Sequence, residues 1–150
     1  MTTLELARAL LAALIALTHP PRDARRRIDA NEDSIIQAAS DAADLHSVPV
    51  GIVLGVGFLE THLGTDAGEG GGFGAPVDSR HRHTAGTAAN AAHILSRGHQ
   101  ICGPWIRAIH FFRCGRCSCP RLVGYESPYA TRLVERVYES AGVEAPPTMR

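Results

Sequence analysis

The chain has 150 residues, and its 15 Lys and Arg residues balance its 15 Asp and Glu residues, so the formal net charge is zero. This length suits one domain with a real core, and the balanced charge excludes a global field that would attract nucleic acid or an anionic membrane. No apolar run approaches the roughly 20 residues that span a bilayer. An alanine-rich composition with helix caps and glycine stops predicts a mainly α fold.

The N-terminal part of the chain predicts one helix and a linker. Apolar residues recur at helical spacing from Leu4 to Ile15, and His19-Pro20-Pro21 ends the helix. The segment Ala9–Leu17 is similar to the apolar part of a secretion signal, but no basic residue precedes Arg8 and no Ala-x-Ala site follows. We therefore expect a retained helix, followed by a solvated basic turn at Arg25-Arg26-Arg27.

A second helix is predicted from cap candidates at Asn31–Asp33 to Leu45, and an apolar helix follows it. Ser47 is a suitable N-cap for this apolar helix. The helix carries one carboxylate, Glu60, near its far end and breaks at Gly64. This helix contains three glycines, Gly51, Gly55 and Gly57. Each glycine costs a helix roughly 1 kcal/mol relative to alanine, so their presence indicates that another backbone or a ligand approaches closely. A carboxyl group among such small, apolar neighbours suits a general acid, because burial disfavours its charged form. An ordinary exposed glutamate at a helix end is the alternative.

The second half of the chain predicts two irregular loops and three helices. Six glycines lie between Gly64 and Gly74, and we expect a loop shaped to let a ligand meet backbone, although a flexible linker has a similar composition. The predicted helices run from Thr87 to a stop at Gly98, from Pro104 to Gly115, and from the Ser127-Pro128 cap to Gly142.

Four cysteines form the second informative cluster: Cys102, Cys114, Cys117 and Cys119. Their spacing is poor for zinc, because Cys117 and Cys119 enclose one residue and no second CxxC pair exists. Because histidines lie nearby in sequence, a zinc-binding module remains an alternative. We favour disulfides or buried thiols, with Cys102 joined to one of the later three. No metal site or cofactor is expected.

The order of these elements resembles the soluble lytic transglycosylase (SLT) family, in the goose-type branch of the lysozyme-like superfamily. The segment Leu59-Glu60-Thr61-His62-Leu63-Gly64 stands where that family has its catalytic glutamate at a helix end. Gly72-Phe73-Gly74-Ala75 is the nearest counterpart of its sugar-shaping segment. The alanine-rich helix from Ala88 to Gly98 and the helix from Trp105 to Gly115 follow in the family's order, with Phe112-Arg113 in place of its Tyr-Asn.

The resemblance implies a lysozyme-like helical domain that cleaves the β-1,4 bond between N-acetylmuramic acid and N-acetylglucosamine in peptidoglycan. Glu60 would be the sole general acid and base, giving a 1,6-anhydro product. The glycan strand would contact backbone or side chains at seven further positions: Gly72, Phe73, Gly74, Phe112, Arg113, Tyr125 and Tyr129.

Other functions fit the same residues. A goose-type hydrolytic lysozyme needs a second carboxylate to position water, for which Asp66 and Asp78 are the nearby candidates. The motif Leu-Glu-Thr-x-x-Gly also resembles the N-acetylglucosaminidases of the flagellar and autolysin type. A structural or binding module that keeps the fold without activity is a further alternative, suggested by the departure at Phe112-Arg113.

The expected organisation is an N-terminal helix and linker over 1–30, the lysozyme-like domain over 31–142, and a Pro-rich tail over 143–150. The substrate lies in the cell wall, outside the cytoplasm. A wall-cutting domain without a clear signal suits a bacteriophage enzyme, released by a holin or carried in the virion, or a secretion apparatus that delivers its own hydrolase. Other proteins of that particle or apparatus are then the expected partners, with no nucleic acid and no membrane span.

Overall fold

A computed structural model of the chain describes residues 1–64, 73, 84–118 and 127–150. Within those ranges the chain forms helices and no strand, which confirms the predicted mainly α class. The helices are α1 (Thr3–Thr18), α2 (Arg22–Ala30), α3 (Glu32–His46), α4 (Val50–Thr61), α5 (Thr84–Cys102), α6 (Trp105–Cys114) and α7 (Ser127–Ser140). One cluster of buried apolar residues extends from Ala7 to Met149. None of these described helices is long and apolar enough to cross a membrane.

The basic turn predicted at Arg25–Arg27 is wrong, because these residues lie within α2. Arg25 pairs with Asp29 at 3.0 Å and Arg26 pairs with Asp23 at 3.2 Å. Pairs at these spacings stabilise a helix by a few tenths of a kcal/mol. The helix also buries Ala24 and Ile28, and that burial outweighs the polar character of the segment.

The prediction that Ser47 caps the apolar helix is also wrong. Ser47 is the left-handed residue, with φ 54°, that ends α3, and Pro49 precedes α4 without any side-chain cap. A side chain from α7 partly replaces the missing cap: the Gly51 N–H donates a hydrogen bond of 3.2 Å to the Tyr138 hydroxyl. Burial raises the pKa of Tyr138, so this hydroxyl stays neutral and available to accept that bond.

The first turns of α4 are covered on every side, since each residue from Val50 to Phe58 is buried. The three glycines are the reason that neighbours come so close. A Cβ at Gly51 would lie 2.4 Å from the Tyr138 ring, one at Gly55 would lie 2.7 Å from a Val134 methyl, and one at Gly57 would lie 2.2 Å from the Phe73 ring. The close approach predicted from the glycines is therefore made by side chains, two of them on α7.

The predicted stop at Gly98 is wrong, because α5 continues to Cys102 and ends before Gly103, whose φ is 88°. Gly98 lies inside α5 at a helix crossing. A Cβ there would lie 3.0 Å from the Phe111 Cβ and 3.1 Å from the Ala108 Cα on α6. Close packing between two helices, which sequence spacing does not reveal, explains this glycine.

The start and end of α6 agree with the prediction, with Pro104 before the helix and Gly115 (φ 74°) after it. The C-terminal tail then satisfies the first turn of α6. The Trp105 N–H donates to the Thr148 carbonyl at 2.9 Å, and the Ile106 N–H donates to the Met149 carbonyl at 2.8 Å. The Pro-rich tail is thus packed onto the domain.

A disulfide joins Cys102 at the end of α5 to Cys117 beyond α6, with a Cα–Cα distance of 5.4 Å. Disulfide formation by Cys102 with a later cysteine was predicted and is confirmed. Cys114 is also disulfide-bonded, and Cys119 lies outside the described residues. The α5–α6 pair is therefore closed covalently at one end.

Replacing both cysteines in the Cys102→Ser, Cys117→Ser variant should lower the free energy of unfolding by about 3 kcal/mol, the loop-entropy value for a closed loop of this size. The sequence separation of the two cysteines is 15. Chemical denaturation of the variant and the parent, both without reductant, measures the difference. Equal unfolding midpoints would show that the bond does not constrain the chain.

Gly57→Ala should lower the free energy of unfolding by about 1–3 kcal/mol, because the new methyl overpacks the fully buried Phe73 ring. Adding Phe73→Leu should cost less in the Gly57→Ala background than in the parent, since a smaller side chain relieves the clash. A double-mutant cycle by urea denaturation tests this coupling. Strict additivity, or a Gly57→Ala protein as stable as the parent, would contradict the observed packing.

Candidate active site

The C-terminal end of α4 is tightly closed by hydrogen bonds. His62, Leu63 and Gly64 follow the helix with φ values of 48°, 61° and 79°. The His62 N–H donates to the Phe58 carbonyl and the Leu63 N–H donates to the Gly57 carbonyl, each at 3.0 Å, so two of the last carbonyls of the helix have partners. The Gly64 N–H also donates to the Thr61 hydroxyl at 2.9 Å.

Two residues with side chains hold the left-handed conformation in this motif, at a cost of order 1–3 kcal/mol each. The Leu63 side chain is fully buried, and its burial offsets part of that cost, on the order of 1.5–3 kcal/mol. Strain of this kind persists only where surrounding packing fixes it. Glu60 therefore lies on a rigid helix end, one residue before the helix stops.

Glu60 forms an ion pair with Arg113 of α6. The Arg113 Nη1 lies 3.5 Å from the Glu60 Oε1, and the two side chains are 29% and 16% exposed. Arg113 is positioned by the last turn of α6, directly before disulfide-bonded Cys114. The structure thus brings together the predicted acid and one predicted substrate contact, in a partly buried ion pair.

His110 lies one turn before Arg113 on α6 and is half-buried. Burial, and then the charge of Arg107, lower the pKa of His110 below its usual value. The imidazole is therefore neutral at neutral pH. It is not among the predicted site residues, and its helical spacing of three from Arg113 is the signal that places it on the same face.

The two predicted phenylalanine contacts have different surroundings. Phe112 is partly buried and packs against the core at its edge, so part of its surface is accessible to a ligand. The Phe73 ring has no exposed surface and fills the space above Gly57. In this structure Phe73 supports the last turns of α4 from within.

Tyr129 is 49% exposed and lines a pocket that Phe58 and His62 share and that Glu60 does not line. Tyr129 therefore does not share this pocket with Glu60. Arg132 and Arg136 line the same pocket and are not among the predicted site residues. Their helical spacing of four residues is the only feature of the sequence that indicates that they share one face of α7.

The remaining predictions fall on positions outside the described residues. These are the substrate contacts Gly72, Gly74 and Tyr125, and the candidate second carboxylates Asp66 and Asp78. Among the residues that are described, no group of three His, Cys, Asp or Glu side chains is placed to hold a metal ion.

No protein-family model, curated protein or solved structure matches this chain. The resemblance to the lytic transglycosylases therefore stays a prediction from sequence. The mainly α class and the geometry around Glu60 are what the structure adds.

Because it is partly buried, the Glu60–Arg113 ion pair should contribute more to the free energy of unfolding than an exposed ion pair with a shorter N–O distance. A double-mutant cycle with Glu60→Gln and Arg113→Met should give a coupling energy of roughly 1 kcal/mol or more, measured by chemical denaturation.

The matched control is the Asp23–Arg26 pair, with Asp23→Asn and Arg26→Met. Its atoms are closer, at 3.2 Å, but its side chains are 72% and 77% exposed. Its coupling energy should lie within about 0.5 kcal/mol of zero. An equal or larger coupling in the exposed pair would contradict a partly desolvated Glu60 site.

Proposed function

We propose that this protein is a peptidoglycan lytic transglycosylase in which Glu60 is the single general acid and base. The observation that carries the proposal is the placement of Glu60: a side chain only 16% exposed, on a strained helix end where His62 and Leu63 hold the left-handed conformation. Such strain is concentrated at functional sites. The sequence resemblance assigns the catalytic role to this same residue.

The reaction needs one carboxyl group. Protonated Glu60 donates its proton to the glycosidic oxygen, and the C1–O bond of N-acetylmuramic acid breaks through an oxocarbenium-like state. The resulting carboxylate then removes the proton from the C6 hydroxyl, whose oxygen bonds to C1 and closes the 1,6-anhydro ring. Glu60 regains its proton, and no water is consumed.

Arg113 has two roles in this proposal. An ion pair requires an ionised carboxylate, and an ionised carboxylate cannot donate a proton. The substrate therefore has to separate Arg113 from Glu60, and Glu60 has to take up a proton from solvent, before the first step. The freed guanidinium then hydrogen-bonds a carbonyl or carboxylate oxygen of the substrate.

The same ion pair favours a second candidate function, a wall-binding or structural module without activity. In that case Arg113 holds α6 to the end of α4 and Glu60 carries no proton in the bound state. Such a module would bind peptidoglycan, and its wild-type form would release no soluble fragments.

Glu60→Gln should reduce the lysis of purified peptidoglycan by about 10²- to 10⁴-fold, the range for a general acid–base group. Turbidity loss and the release of soluble fragments measure lysis, and circular dichroism checks that the variant is folded. Glu139→Gln removes the same charge from an exposed position and should leave lysis unchanged. Lysis at the parent rate by folded Glu60→Gln would overturn the assignment.

A further inference from the structure

A second pocket, of about 360 Å³, lies on another side of the end of α4. It is bounded by the connection between α1 and α2, by the last turns of α4, and by α7. Its volume is at the low end of the roughly 300–1,000 Å³ of small-ligand sites. The residues that give it chemical character are Pro20, Phe58, Tyr129, Arg132, Leu133 and Arg136.

One wall of this pocket is positively charged. Tyr129, Arg132 and Arg136 follow one another at spacings of three and four, so they share one face of α7. Neither guanidinium makes an ion pair or hydrogen bond with any residue that the structure describes. No Asp or Glu is among the described residues that line the pocket. The two charges are therefore uncompensated there.

Glu135, which lies between the two arginines in the sequence of α7, already has a partner. Both carboxylate oxygens of Glu135 accept hydrogen bonds of 3.1 Å from Arg150 at the chain end. This bidentate pair with Arg150 compensates the negative charge of Glu135. Among the described residues, the pocket lining therefore carries the charges of Arg132 and Arg136 without a carboxylate.

The floor of the pocket is apolar. Phe58 and Leu133 are each only 7% exposed, and the half-exposed Tyr129 ring forms a side wall. Phosphate or another small inorganic anion would leave this apolar surface unused. A carboxylate attached to a short aliphatic group would use both parts, because the planar carboxylate matches the guanidinium fork and the aliphatic group covers the floor.

We propose that this pocket binds the terminal carboxylate of a short peptide. The identification of that peptide as a peptidoglycan stem rests on the proposed function. Phe58 and Glu60 are two residues apart, which is roughly 200° around a helix, so the pocket and the acid lie on opposite sides of α4, about 10–12 Å apart. Because α4 lies between them, a stem attached near Glu60 has to pass around the helix end, a path of roughly 16–19 Å that about five extended residues span.

Titration of the full chain with N-acetyl-D-alanyl-D-alanine, followed by NMR or calorimetry, tests the pocket directly. The peptide should bind, and its C-terminal amide should bind at least tenfold more weakly, because it lacks the charge. Inorganic phosphate should also bind at least tenfold more weakly. Equal binding of the amide, or tighter binding of phosphate, would overturn the proposal.

The variant Arg132→Gln, Arg136→Gln should weaken binding of the free peptide at least tenfold, which corresponds to about 1.4 kcal/mol. Both arginines are exposed, so the fold should be retained. The matched control, Arg97→Gln with Arg116→Gln, removes the same charge from exposed positions elsewhere and should bind as the parent does. Parent-like affinity in the Arg132, Arg136 variant would reject the pocket.

Cleavage assays separate this proposal from the proposed function. The Arg132, Arg136 variant should cleave peptide-free glycan strands at the parent rate, and peptide-bearing walls more slowly at low substrate concentration. If the variant cleaves peptide-bearing walls at the parent rate as well, the pocket has no role in stem binding. If the parent cleaves neither substrate, the proposed function fails, and the peptide titration still decides whether the pocket binds a carboxylate.

Discussion

Three side chains occupy the space that three glycines leave open along α4, and the rest of the structure is arranged around that contact. Tyr138 and Val134 bring α7 against the helix at Gly51 and Gly55, and Phe73 covers Gly57. Because interiors are packed to crystal-like density, the position of α4 is fixed along its length. The helix end that carries Glu60 inherits this fixed position, and the proposed acid needs a fixed position to meet one bond of a polymer.

The two sides of this helix end differ in charge and in surroundings. On one side Glu60 pairs with Arg113 where α6 ends, directly before disulfide-bonded Cys114. On the other side two arginines of α7 face an apolar floor without a carboxylate among the described lining residues. The proposed substrate is a neutral glycan that carries an anionic peptide. The Glu60–Arg113 pair suits the glycan, and the separate pair Arg132 and Arg136 suits the peptide. In the proposed function, α4 thus lies between the site of cleavage and the site of peptide recognition.

Local signals in the sequence predicted much of the helical arrangement. Pro104, Gly115 and Gly142 bound α6 and α7 as expected, because prolines and left-handed glycines act through the backbone of their own segment. The predictions at Gly98 and Ser47 were wrong, each for its own reason. Gly98 is explained by α6 packing against it, and Ser47 ends one helix where it was expected to begin the next. The contact between Glu60 and Arg113 joins residues far apart in sequence, so only the expected order of elements indicated it, and nothing local indicated the arginine pocket.

The chemistry at Glu60 is decided most directly by the products that the unmodified protein releases. Purified peptidoglycan is incubated with the full chain, and the soluble fragments are analysed by mass spectrometry. If Glu60 acts alone as acid and base, the fragments end in 1,6-anhydro-N-acetylmuramic acid and lack one water relative to hydrolysed ends. Fragments with hydrolysed N-acetylmuramic acid or reducing N-acetylglucosamine ends, or no soluble fragments at all, would contradict this mechanism.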